Sequence, residues 1–115
     1  MNTGITPDVL KNPDVAASYQ VVYDFLSRAY WEASDIASKD LIYGAQQAIG
    51  EIITALDEAD IDQLTQQFST LKPKIEATNQ SLAKIKDEIQ QITKNISTAS
   101  AIVSAITKVL SLLPA

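Results

Sequence analysis

The chain contains no cysteine and no histidine among its 115 residues. Disulfides, thiolate nucleophiles, Cys/His zinc sites and every imidazole base are therefore excluded. Glycine and proline are scarce, at three and four residues, so turns are few and the elements between them must be long. Clustered Lys and Arg with interleaved aromatics are also missing, which argues against nucleic-acid binding. The first residues, Met1-Asn2-Thr3-Gly4-Ile5-Thr6-Pro7-Asp8, have neither a basic region nor an apolar stretch. No signal peptide is read there, and the expected location is cytoplasmic, with leaderless export left open.

What is present is ordinary for a packed domain: 46% hydrophobic and 20% charged residues. The net charge of -5 is unevenly spread. Residues 1–60 hold ten of the 14 acidic groups and three of the nine basic ones, a balance of -7, whereas residues 61–115 stand at +2. An acidic half joined to a basic half favours folding of one against the other.

From Ile61 onward apolar residues alternate at spacings of three and four: Ile61, Leu64, Phe68, Leu71, Ile75, Leu82, Ile85, Ile89, Ile92, Ile96, Ala99, Val103, Ile106, Leu110 and Leu113. Thr78 is the one polar member. A seam of period 3.5 over that length predicts a coiled-coil-like helix. Pro73 falls opposite the seam, where an outward bend is tolerated on a solvated face. In the first half, Asn12-Pro13-Asp14 is a helix start. Val15, Tyr19, Val22, Leu26, Ala29, Ala33 and Ile36 then share one phase, and Ile42, Ala45, Ile49, Ile52, Leu56 and Ala59 share another. The change falls around Ser38-Lys39-Asp40, which predicts a phase slip or bend, or a corner between two helices. Asp57-Glu58-Ala59-Asp60 is read as the reversal, with Asp60 capping the next helix.

The predicted fold is all-α: a long antiparallel helical hairpin or coiled-coil-like bundle, with an arm over 1–12 and one domain over 13–115. Its helices cover about 13–58 and 61–113, the first of them bent or divided into two. The size and hairpin form resemble small helical-hairpin proteins of the WXG type. The Trp-x-Gly turn of that type is absent, since the turn is Glu58-Ala59-Asp60 and Trp31 sits within a helix, so no residue carries over.

Five of the seven aromatics, Tyr19, Tyr23, Phe25, Tyr30 and Trp31, lie within thirteen residues. Tyr23, Tyr30 and Trp31 fall off the first seam, so this helix is apolar on more than one side and needs more than one neighbour. Gly44 and Ala48, one turn apart, are small enough for close helix approach. Residues 95–113 carry one charge, Lys108, and six hydroxyls. That is too polar for a spanning helix and too poor in charge for a solvated coiled coil. Cover by protein is the reading that remains.

No catalytic, cofactor or metal site is read: the acidic turn 57–62 lacks the central Gly and closing Glu of a calcium loop. The expected function is a non-enzymatic assembly or adaptor protein acting through helix–helix recognition. Its interaction residues are Tyr19, Tyr23, Tyr30, Trp31, Ile89, Ile92, Ile96, Val103, Ile106, Leu110 and Leu113. The expected partner is a second copy, most simply in a dimer that completes the bundle, or another helical protein. No small-molecule substrate is implied. The alternative is a membrane-active or effector-like protein whose uncharged end, 95–113, enters lipid.

Overall fold

The computed structural model describes residues 7–58, 61–93 and 96–113, and 93% of these are helical. Five helices follow one another: α1 (Pro7–Leu10), α2 (Pro13–Glu32), α3 (Ile36–Glu58), α4 (Ile61–Ile92) and α5 (Ile96–Leu112). The neighbours are α2–α3, α3–α4, α4–α5 and α5–α2. Each helix of this ring reverses the direction of the one before, as in an up-and-down four-helix bundle. The molecule measures 43 × 25 × 20 Å. α1 packs against both α2 and α4, and its Leu10 is buried with the core.

Local chemistry accounts for the starts. Asn12 caps α2 in an extended conformation, its side chain accepting from the Asp14 amide at 3.0 Å, with Pro13 in the first turn. Asp35 caps α3 by accepting from the Ser38 amide at 2.6 Å. Each bond satisfies an amide that the helix itself cannot, contributing about 1 kcal/mol. Asp60, the expected cap of α4, lies outside the described residues.

Two long rods are thus replaced by four helices. The first expected rod, 13–58, breaks at Ala33–Asp35 rather than near Ser38-Lys39-Asp40, because extended Ala33 ends α2 and the Asp35 cap starts α3 without Gly or Pro. The second, 61–113, breaks after Ile92. Ala33 and Thr93 pair as an isolated antiparallel bridge, and the Ser34 amide donates to the Ile92 carbonyl at 2.9 Å. The α2–α3 and α4–α5 corners are therefore tied together at one end of the bundle.

The core follows the seams with one shift and two departures: Ile36 and Ile96, at the first positions of α3 and α5, are 77% and 75% exposed. Leu71, Ile75, Leu82, Ile85, Ile89 and Ile92 of α4 are buried as read, and Thr78 is buried in its place among them. Val15, Tyr19, Val22, Leu26 and Ala29 of α2 are buried, as are Ile42, Ala45, Ile49 and Ile52 of α3. In α5 the buried set is Thr98, Ala99, Ile102, Ile106 and Val109, and Leu113 just beyond it is buried too. Ile102 and Val109 take the places expected for Val103 and Leu110, which are half-buried. Each fully buried Ile or Leu contributes roughly 1.5–3 kcal/mol against exposure. Pro73 is exposed within an α4 that is helical on both sides of it.

Candidate interaction surface

Of the expected interaction residues, Tyr19, Ile89, Ile92, Ile106 and Leu113 are core. Tyr23, Tyr30, Val103 and Leu110 are half-buried. These nine pack within the chain, and the wide apolar arc of α2 is covered by α3 and α5 rather than by a second molecule. Tyr23 faces α3, where its ring edge lies 3.6 Å from the point a side chain at Gly50 would reach. The remaining two are open: Trp31 is 80% and Ile96 75% exposed.

A polar thread runs through the interior. The Tyr19 hydroxyl donates to Asn79 Oδ1 at 2.8 Å, and Asn79 Nδ2 donates to the Leu113 carbonyl at 3.2 Å. Asn79 thereby links α2, α4 and the end of α5, and satisfies groups that burial would otherwise penalise. Burial pushes the Tyr19 hydroxyl well above the ordinary phenol range, and the bond to Asn79 only partly opposes this. The thread is enclosed, and nothing in its chemistry resembles a reacting pair.

The open surface lies at the corner end. Ile36, at the first position of α3, is 77% exposed, and Tyr43, seven residues on and therefore on the same helix face, is 52% exposed. Tyr30 joins the two exposed rings, meeting Trp31 edge-on at 5.3 Å and Tyr43 at 6.3 Å. Lys39 holds the group together, donating to the Tyr30 carbonyl at 2.5 Å and lying 4.5 Å over the Tyr30 ring and 5.6 Å from that of Trp31. Gln47 Nε2 donates to the Tyr43 hydroxyl at 2.8 Å, and Gln46 donates to Ser27 across the α2–α3 contact. Trp31 and Tyr43 are thus braced by their neighbours, and together with Ile36 they leave apolar surface facing outward.

Gly44 stands beside Tyr43 on the exposed face, and a side chain there would meet no atom within 4 Å. Its smallness does not serve helix approach inside this chain. An alanine would be better by about 1 kcal/mol in a helix interior. The charges nearby are mostly acidic. Asp35 and Asp40 are exposed, and the hydrogen bonds from Ser38, backbone first, hold the Asp35 carboxyl below the usual range.

Ile36 and Tyr43 were not read from the sequence as surface residues. Ile36 fitted the first seam, and the corner that turns it outward was placed too late. The signal available was the step of seven between them. Among the described residues, no three acidic side chains gather as a metal site would require, and no helix is long and apolar enough to cross a membrane. The architecture defines an all-α helical bundle with an apolar, aromatic corner. Compared with protein-family models, curated proteins and solved structures, the chain matches none.

Proposed function

We propose that this chain is a non-enzymatic recognition module, an adaptor or assembly protein whose working surface is the corner end of the bundle. The observation that carries the reading is the strip Trp31–Ile36–Tyr43. Trp31 and Tyr43 are braced by ring contacts with Tyr30, and all three side chains are left uncovered by a chain that buries most of its described seam positions. Exposed apolar surface on a rigid support is the usual mark of a binding site. The partner is another helical protein or a second copy. Four helices of one chain surround the core, so a second copy would dock on the strip rather than complete the bundle.

A photocrosslinking residue tests this directly. At position 31 or 36, in cells making the protein, it should capture one discrete polypeptide. The same residue at Gln90, exposed on α4, should capture none. Indistinguishable adducts from both positions would remove the strip from consideration.

The membrane alternative draws on the exposure of Trp31, a residue type that sits at bilayer interfaces, and of Ile96, whose apolar side chain favours the hydrocarbon region. It has narrower support, because entry of 95–113 into lipid would withdraw Ile102, Ile106 and Val109 from the core. Phosphatidylcholine vesicles, with and without anionic lipid, should leave Trp31 emission unchanged at neutral and acidic pH. A blue shift would favour the lipid reading.

A further inference from the structure

Resting on the recognition reading, we infer that the strip takes a partner helix laid along the outer face of α3, its backbone closest at Gly44 and its flanks basic. Three features of that face lead to this occupant. Its exposed positions include Ile36, Asp40, Tyr43, Gln47 and Glu51, spaced by three and four as a helix-facing row is, with Gly44 beside Tyr43. The row is apolar at the corner end, where Trp31 stands beside it, and opens to bare backbone at Gly44. A glycine with open space above it permits a second helix to approach more closely than any side chain would allow. Nothing inside the chain uses that allowance, and the helix gives up stability to keep it.

The charge pattern selects the flanks. Asp40 and Glu51 border the row, with Asp35 at its head. The one base of α3, Lys39, is engaged with the Tyr30 carbonyl and the two rings. Of the neighbouring bases, Lys74 lines the same hollow as Glu51, lower on the bundle, and Arg28 lies over the Phe25 ring on α2. Among the described residues the upper row thus carries two carboxylates, Asp35 and Asp40, against the single base Lys39, a net negative balance that favours Lys or Arg on an approaching helix and disfavours acidic ones. It also disfavours a second copy of this face, because self-pairing would bring the two sets of acids together. Recognition follows the helix-on-surface mode, with anchors at helical spacing and charges fixing orientation.

The test uses the full chain and two synthetic 18-residue helical peptides, each with a Leu/Ala face, one flanked by Lys and one by Glu. Trp31 is the only tryptophan, so its quenching by iodide reports cover of the strip, and anisotropy of a labelled peptide gives affinity. The Lys-flanked peptide should bind at least tenfold more tightly than the Glu-flanked one and should protect Trp31. Gly44→Gln, a neutral change to a better helix former, should weaken binding at least tenfold without lowering the melting temperature. Asp40→Lys should narrow the preference for the Lys-flanked peptide. Peptides that protect Trp31 but bind Gly44→Gln equally well, or bind regardless of flank charge, overturn the inference and leave the recognition reading standing. Protection of Trp31 by phosphatidylcholine vesicles and by neither peptide overturns both.

Discussion

Tyr19→Phe removes one hydroxyl from the middle of the bundle and leaves Asn79 Oδ1 buried without its donor. Asn79 is 2% exposed and Tyr19 fully buried, so water cannot easily replace the lost 2.8 Å bond. The expected cost is about 1–3 kcal/mol, the penalty of orphaning a buried acceptor. Asn79→Ala strands both the Tyr19 hydroxyl and the Leu113 carbonyl and leaves a small void, for roughly 3–5 kcal/mol. The double variant should cost less than the sum by about 1 kcal/mol, the coupling of the shared bond. Urea unfolding followed by circular dichroism measures all four corners of the cycle. At this size each kcal/mol also lowers the melting temperature by about 4 °C. A pH arm makes the test sharper. The neutral hydroxyl is favoured in the folded state, so its stabilisation is complete below the ordinary value of 10.0 and is lost as pH rises from there toward the higher folded value. Part of the alkaline loss of stability is therefore assignable to Tyr19. Tyr19→Phe should lack that increment of alkaline destabilisation. A Phe variant as stable as the parent at pH 7 and equally sensitive at pH 11 would show that the thread carries no weight.

Gly44→Ala should raise stability by about 1 kcal/mol, since it meets no neighbour. Gly50→Ala should also stabilise, because 3.6 Å to the Tyr23 ring is an ordinary contact; thermal unfolding reads both, and a loss of stability in either would contradict the packing of α3. Ile102→Ala should cost about 2–5 kcal/mol and Val103→Ala less than ~1.5 kcal/mol. A reversal in urea titrations would restore the original seam phase. Asp35→Asn weakens an ionised cap whose stabilisation is present above the ordinary carboxylate range and is lost as pH falls through the lowered folded value. The variant should therefore show a smaller decline in stability on acidification, measured as melting temperature between about pH 6 and pH 2.

The parts of the fold legible in the sequence are those governed by a single seam. α4 faces α3 and α5 along a narrow stripe, and its buried residues recur at three and four from Leu71 to Ile92. The start of α2 was legible because Asn12-Pro13-Asp14 states its chemistry locally. The corners were harder. Asp35 does by one side-chain bond what Gly or Pro would have announced, so the change of phase was visible five residues away from the break itself. At the second corner the step from Ile92 to Ile96 preserved the spacing, so periodicity ran straight through. Asn95 ahead of Ile96 was the one local hint of a helix start. The phase of α5 was ambiguous for a physical reason. Ala99, Ile102, Val103, Ile106, Val109, Leu110 and Leu113 form an apolar arc wide enough for two seams, and only its placement between α2 and α4 selects Ile102 and Val109. The open surface was half legible. Trp31 falls off the first seam, but Ile36 and Ile96 both fit a seam, and an exposed isoleucine is indistinguishable in sequence from a buried one.

The placement of the two ends has a mechanical consequence. α2 begins and α5 ends away from the tied corners, and these two helices are neighbours. A force drawn between Pro13 and Leu113 would therefore separate them like a zipper, loading one turn at a time rather than the whole contact in shear. The first resistance met would be the linkage of Leu113 to Asn79 and of Asn79 to Tyr19. The last would be the Ala33–Thr93 bridge, so a tether on either end would leave the aromatic corner in place until the bundle had almost come apart.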